Sequence, residues 1–292
     1  MAVAYFMFNM KLKTKNLKLL SYMSPKLFLS FLRTIYKNRR AILTMAKDDF
    51  KKQYLGSLLG FFWAIAQPAV YIFAIWIIFT FGFRAGSGKG GEIPFVLYLV
   101  SGFIVWSFFS GGLTAGAGSV QSYSYLVKKM VFAVSVLPVV KILSAFYIHL
   151  ILFLLYLIVF FSKGYMFSLY TLQIFYYIFA TFVLLLGLGW LTSSLNIFIQ
   201  DVSQVIGVFT RIGFWFTPIF WKIDKFSPKI QFLLKLNPAY YLVNGYREAL
   251  FYKVWFWERP MLTLYYWSFT MFFFILGAIV FKRLRPHFGD LL

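Results

Sequence analysis

The stretch Tyr125-Leu126-Val127-Lys128-Lys129-Met130-Val131-Phe132-Ala133-Val134-Ser135-Val136-Leu137-Pro138 decides the fold. It joins two long apolar runs, and its adjacent lysines interrupt sequence that is otherwise almost uncharged. Two ammonium groups will not sit in hydrocarbon. The turn therefore reaches a water-facing surface, and the runs on either side of it become separate membrane spans. The apolar residues beside the lysines suit docking on another protein, which makes this turn a candidate point for force to arrive. An ordinary loop between two membrane helices would use the same residues, and on these residues alone both readings stand.

Outward from that turn, the composition agrees. The 292 residues are 61% hydrophobic, 23% aromatic and 13% charged, with mean hydropathy +0.77. A soluble domain carries ~25% charged residues. This is the composition of a polytopic membrane protein, with room for about six spans of ~20 residues and modest loops. The net charge of +21 invites a nucleic-acid reading, but 12 of the 29 basic residues fall before Tyr54, ahead of the first span. That is the cytoplasmic excess of Lys and Arg that sets membrane orientation and attracts anionic lipid, so no nucleic-acid partner is expected. The absence of Cys removes disulfides, thiolate metal sites and thiol nucleophiles. The N-terminus lacks a short apolar core with a small-residue cleavage site, so no removable signal peptide is expected.

The expected organisation is all-α and integral to the membrane, divided into three parts. Residues 1–24 form a basic extension. Residues 25–53 form an amphipathic helix in the membrane interface: Phe28, Phe31, Leu32, Ile35, Ile42, Met45 and Ala46 recur near helical spacing, with Lys26, Arg33, Lys37, Arg40 and Lys47 mostly elsewhere on the wheel. Residues 54–292 form the transmembrane domain, with spans at about 56–82, 94–116, 139–161, 170–197, 203–221 and 261–281. The Gly86-Ser87-Gly88-Lys89-Gly90 loop superficially resembles a phosphate loop, but the required spacing fails because position 83 is Phe and position 90 is Gly. Between the last two spans, residues 222–259 hold seven basic and three acidic residues, four tyrosines and two tryptophans. Within them Phe232–Phe251 is too apolar for a free loop and is broken by Asn237-Pro238, so two short re-entrant helices are expected. Six spans put both termini on the cytoplasmic side with Lys128, Lys129, Lys282, Arg283 and Arg285. The 222–259 segment then lies outside with an excess of positive charge, which an anionic cargo would explain.

The chemistry offered by the side chains is sparse. The acidic residues Asp48, Asp49, Glu92, Asp201, Asp224, Glu248, Glu258 and Asp290 all fall in loops, interfacial segments or tails. Ion-coupled carriers keep ionisable groups or broken helices near the midplane, so a secondary transporter is disfavoured. His149 and His287 have no ligand partners at metal spacing, and no nucleophile motif or glycosyl-transfer carboxylate pair is present. Hence no catalytic, metal or cofactor residues are expected in this chain. Arg211 is the one charge deep in an expected span, ~15 Å from its start at 1.5 Å per residue. Either it faces an anionic cargo, for which a guanidinium is well shaped, or backbone carbonyls capture it. Most Phe pack or face lipid, but Trp215, Trp221, Tyr240 and Tyr241 are candidates to line a path along which a polymer slides.

Several stretches now carry a resemblance. Leu55-Gly56-Ser57-Leu58-Leu59-Gly60 with Trp63 and Pro68, then Leu126-Val127-Lys128-Lys129-Met130 with Val136-Leu137-Pro138, resemble polysaccharide-exporting ABC-2 type permeases. So do Asp201, Phe216-Thr217-Pro218-Ile219, Leu236-Asn237-Pro238 with Tyr240-Tyr241, and Gly245-Tyr246-Arg247. Within that family the chain is most similar to wall teichoic acid translocation permeases, around Lys128-Lys129-Met130, Asn237–Tyr241 and the tail from Arg285. O-antigen and capsule permeases share much of the pattern.

The resemblance implies a homodimeric half-transporter in the bacterial plasma membrane, with two ABC ATPase subunits below it binding ATP and Mg. It implies ATPase coupling through Leu126, Val127, Lys128, Lys129, Met130, Val131 and Phe132. It places Arg211, Trp215, Trp221, Tyr240, Tyr241 and Arg247 along the path of a lipid-linked anionic polymer, wall teichoic acid, moved out of the cytoplasm. The alternatives are an O-antigen or capsular polysaccharide exporter, an ABC-2 exporter of small drugs or lipids, and an integral-membrane enzyme acting on lipid-linked sugars.

Overall fold

The computed structural model describes residues 33–54, 58–82, 93–129 and 133–292. The basic extension, the first part of the amphipathic helix, the Gly86–Gly90 loop and the coupling candidates Met130, Val131 and Phe132 lie outside the described residues. Every regular element among the described residues is helical.

Helix α1 (Arg39–Lys52) has Ile42, Ala46 and Asp49 on its buried face, with the basic residues turned outward. Helix α2 (Phe62–Ile77) is continued by a wider turn over Ile78–Gly82 and carries Pro68 in its interior, where no N–H is available to bond back along the helix. Helix α3 (Phe95–Ala117) follows Pro94, and short helices α4 (Ser119–Ser122) and α5 (Ser124–Lys128) lead into the Lys128-Lys129 turn. Helix α6 (Leu137–Ser162) has Pro138 in its first turn and stops at Gly164. Gly164 adopts φ 78°, which lets its N–H reach the Phe161 carbonyl and the Tyr165 N–H reach that of Phe160. Helices α7 (Gln173–Phe198) and α8 (Asp201–Phe216) are joined by a break of two residues, Ile199 and Gln200.

Among the described residues, five stretches are long and apolar enough to cross a membrane: Phe62–Phe81, Phe95–Ala117, Val134–Ser162, Leu169–Phe198 and Pro260–Leu291. The span expected over 203–221 is a shorter element. Helix α8 has 16 residues, or ~24 Å at 1.5 Å per residue, against the ~30 Å of a hydrocarbon core. Pro218 is the cause, because the residue before a proline is pushed out of the helical region, and Thr217 sits at φ −91°, ψ 133°. The chain then folds back through α9 (Pro228–Lys235) and α10 (Pro238–Arg247). The Asn237 side chain caps α10 by accepting the Ala239 N–H at 3.0 Å, with Pro238 at the first helical position. Helix α11 (Pro260–Leu284) runs to the short terminal helix α12 (Phe288–Leu291).

Helix α3 is the axis of the bundle: 72% of its most apolar stretch is buried, whereas α2 has 11%. It packs on α6, α7, α8 and α10, while α11 lies along α7. Glycines allow the closest approaches. The Gly116 and Gly189 backbones meet between α3 and α7, and a Cβ on Gly277 of α11 would overlap the Gly187 carbonyl of α7. A second, smaller apolar cluster gathers Ile42, Val127, Val136, Trp190, Phe281 and Phe288, so α1, the α4–α5 segment, the start of α6 and the C-terminal helix share one end of the bundle.

Candidate coupling segment and translocation path

The lysine turn is rooted in the protein on several sides. Val127 is buried at 3% exposure within the second apolar cluster and Leu126 packs against it, while Lys128, Lys129 and Tyr125 point outward. The apolar residues N-terminal to the lysines therefore anchor the turn rather than offer a docking surface. What faces outward among the described residues is a tyrosine and two ammonium groups. Just upstream, the Tyr123 hydroxyl donates to Asp49 at 3.1 Å, and Lys141 of α6 donates to the same carboxylate oxygen at 2.5 Å. The Lys141 ammonium also lies 5.2 Å from the centre of the Tyr123 ring. Burial and the Asp49 charge together push the Tyr123 hydroxyl pKa up, so it remains a donor. This buried acid was not legible from the sequence, where Asp48-Asp49 reads as an ordinary polar pair; its cationic partner is 92 positions away.

The expected path residues separate into two groups. Arg211 and Trp215 lie on the outward face of α8, with Trp215 at 59% exposure, beside Val208, Phe209, Ile212 and Phe216. Arg211 Nε donates to the Gly207 carbonyl one turn back at 3.1 Å, and no acid is paired with it among the described residues. Trp221 is half-buried, with its indole N–H donating to the Trp215 carbonyl at 3.2 Å and its own carbonyl accepting from the Tyr98 hydroxyl at 3.1 Å.

Tyr240, Tyr241 and Arg247 are in the interior, at 5%, 6% and 2% exposure. They do not share a surface with Arg211. Tyr241 Oη lies 2.9 Å from Tyr176 Oη and 3.1 Å from Thr263 Oγ1, in a hydroxyl network between α7, α10 and α11. Glu248 is also buried, accepting from Asn244 at 2.9 Å and from Arg259 at 3.3 Å. Burial raises its pKa, with these donors opposing. His149, inside α6, is packed between Phe146 and Phe153 and bonded to the Tyr246 hydroxyl at 3.1 Å.

Arg247 has a role that the sequence did not reveal. Its guanidinium donates to the carbonyls of Pro218 (2.6 Å), Ile219 (2.6 Å) and Tyr98 (3.1 Å), and stacks over the Tyr98 ring at 3.5 Å. Those first two carbonyls belong to the non-helical chain that Pro218 creates after α8. Backbone freed from a helix inside a membrane protein needs internal partners, and Arg247 supplies them. Gly102 makes the space: a Cβ there would stand 2.7 Å from Arg247 Nη2. Capture by carbonyls, one of the two readings of Arg211, thus describes Arg247. The available signal was its position as the first charge after Lys235, closing the uncharged run 236–246.

Helix α2 is loosely packed on the rest of the bundle. Cavities of ≈ 280 Å³ and ≈ 480 Å³ flank it. The smaller is almost wholly apolar, and the larger is lined by Trp63, Gln67, Tyr71 and Ser107 among others. Tyr71 reaches Phe214 of α8 with ring centres 5.8 Å apart.

Residues 40–251 match the family described as ABC-2 type transporter. Among curated proteins, the chain is similar to the O-antigen export system permease protein RfbA of Klebsiella pneumoniae, 24% identical over 255 residues that cover 86% of this chain and 94% of that one. It is also similar to the O-antigen export system permease protein RfbA of Myxococcus xanthus, 22% identical over 224 residues that cover 76% and 84% of the two chains.

Proposed function

Because the chain belongs to the ABC-2 type transporter family, we propose that it is the membrane-spanning permease subunit of an ATP-driven exporter of a lipid-linked polysaccharide. The observation that carries this reading is the breadth of the match to the O-antigen export permeases, which spans 86% of this chain and 94% of the Klebsiella pneumoniae protein. Likeness over nearly the full length involves the helices, the break after α8 and the re-entrant segment together, not one shared motif.

In this reading two copies face each other across a path, and two separate ATPase subunits bind ATP and Mg and engage the turn at Lys128-Lys129. Both termini and that turn lie in the cytoplasm, following the excess of basic residues, and the α9–α10 region lies outside. The exposed faces of α2 and α8 suit the path. They carry aromatic side chains and one cation, which can support a sugar polymer without gripping any single unit. Closure of the ATPase pair pushes the turn, and α8 shifts with it.

The polymer's chemistry has two supported forms. The relatives favour an O-antigen polysaccharide. A polyol-phosphate polymer of the wall teichoic acid type is favoured by Arg211 on the outward face of α8 and by the seven basic against three acidic residues in 222–259. The test is export by the reconstituted permease and ATPase complex of two matched lipid-linked polymers, one neutral and one carrying phosphodiesters. Export of the neutral polymer at least as fast as the charged one favours the O-antigen form. Preference for the charged polymer that disappears in Arg211→Gln favours the polyol-phosphate form. Export of neither contradicts the reading as a whole.

A further inference from the structure

Helix α8 carries Arg211 and Trp215, yet only Ile206 and Phe214 of its 16 residues are buried. An element with so little of itself packed is directed by what holds its ends. Arg247 and its carbonyls hold the far end. At the near end stands Asn196, in the last turn of α7 and 1% exposed. Its Oδ1 accepts from the Ser203 backbone N–H at 3.1 Å and from Ser203 Oγ at 2.8 Å, in the first turn of α8. Its Nδ2 donates to Gln121 Oε1 at 3.2 Å, in α4, the helix that leads into the lysine turn.

We propose that Asn196 is a positioning residue that carries movement of the Ser124–Lys129 turn to the near end of α8, so that ATP-driven motion reaches the helix bearing Arg211 and Trp215. This rests on the exporter reading above. Capping the first turn of α8 requires only an acceptor, which Asp or Ser supplies equally well. The amide Nδ2 adds a donor, and that donor is aimed at the helix feeding the turn. Two residues after Gln121, Tyr123 is bonded to Asp49, which in turn holds Lys141 of α6. The root of the turn is therefore gripped toward α1 and α6 by one bonded group and toward α7 and α8 by another. A push on the turn that leaves the Gln121–Asn196 link intact is therefore passed to the near end of α8 as well as to α1 and α6.

The experiment uses the full chain with its ATPase subunit in proteoliposomes and reads polymer exported per ATP hydrolysed, together with the amount of ATPase subunit bound. Gln121→Leu removes the acceptor in α4 while leaving both Ser203 bonds to Asn196. This variant is expected to bind the ATPase subunit as the unaltered chain does while the export-to-hydrolysis ratio falls about five-fold. Gln121→Glu, which keeps an acceptor oxygen, is expected to retain the ratio. A ratio unchanged in Gln121→Leu overturns the proposal. So does export falling in step with hydrolysis or with subunit binding, which is what a purely structural residue would give. Failure of the unaltered complex to export overturns the exporter reading and this inference with it.

Discussion

At the residue scale, the Arg247 guanidinium shows how an unpaired cation is accommodated. Its partners among the described residues are the carbonyls of Pro218, Ile219 and Tyr98 and the Tyr98 ring. The planar fork reaches two carbonyls in sequence while its face rests on the ring. A lysine offers a single point of attachment and no planar face, so Arg247→Lys is not conservative here. Arg247→Met leaves the carbonyls after α8 without donors, and hydrogen bonds to a charged group contribute ~1.5–3 kcal/mol each before partial relaxation. We expect Arg247→Met to lower the stability of the detergent-solubilised protein by about 3 kcal/mol or more, and Arg247→Lys to recover less than half of that loss. Thermal melting of the three proteins side by side checks this, and equal melting of Arg247→Lys and the unaltered chain would contradict it. The Tyr98 carbonyl is 149 positions from Arg247. No local pattern records such a pairing.

At the scale of elements, helices α3, α6, α7 and α11 were legible because each contains an uncharged run of at least ~20 residues. The two short helices before α11 were legible from Asn237-Pro238, which the structure uses as a side-chain cap and a first helical residue. The length of α8 was not. Its sequence stays apolar through Trp221, and hydropathy does not register that Thr217-Pro218 stops the helix after 16 residues. The glycines between helices were not legible from the sequence: the tightest glycine–glycine contact among the described residues joins Gly187 to Gly277. Gly187→Ala would bring its Cβ to 2.6 Å from the Phe274 backbone, and α7 and α11 would have to separate. We expect Gly187→Ala and Gly277→Ala each to reduce the folded yield in membranes severely. Gly111→Ala, with nothing within 4 Å of the added carbon, should be neutral. Fluorescence-detected size-exclusion profiles of the three variants distinguish these outcomes.

At the scale of the molecule, buried polar links gather at the root of the lysine turn and at the far end of α8. Asp49, Lys141, Tyr123, Gln121 and Asn196 surround the root of the lysine turn, and Arg247 secures the opposite end of α8. Between those ends α8 and the loosely packed α2 present aromatic faces. The fold class and the lysine turn were legible from charge and hydropathy alone. The wiring between the turn and α8 was not, because its link from Gln121 to Asn196 joins side chains 75 positions apart in the sequence. The most direct test of the central proposal is polymer export from proteoliposomes containing this chain, with and without its ATPase subunit, in the presence of ATP. Export is expected only when the ATPase subunit is present and is expected to stop when Lys128 and Lys129 are both changed to Glu. Export by this chain alone, or export unaffected by that double substitution, would contradict it.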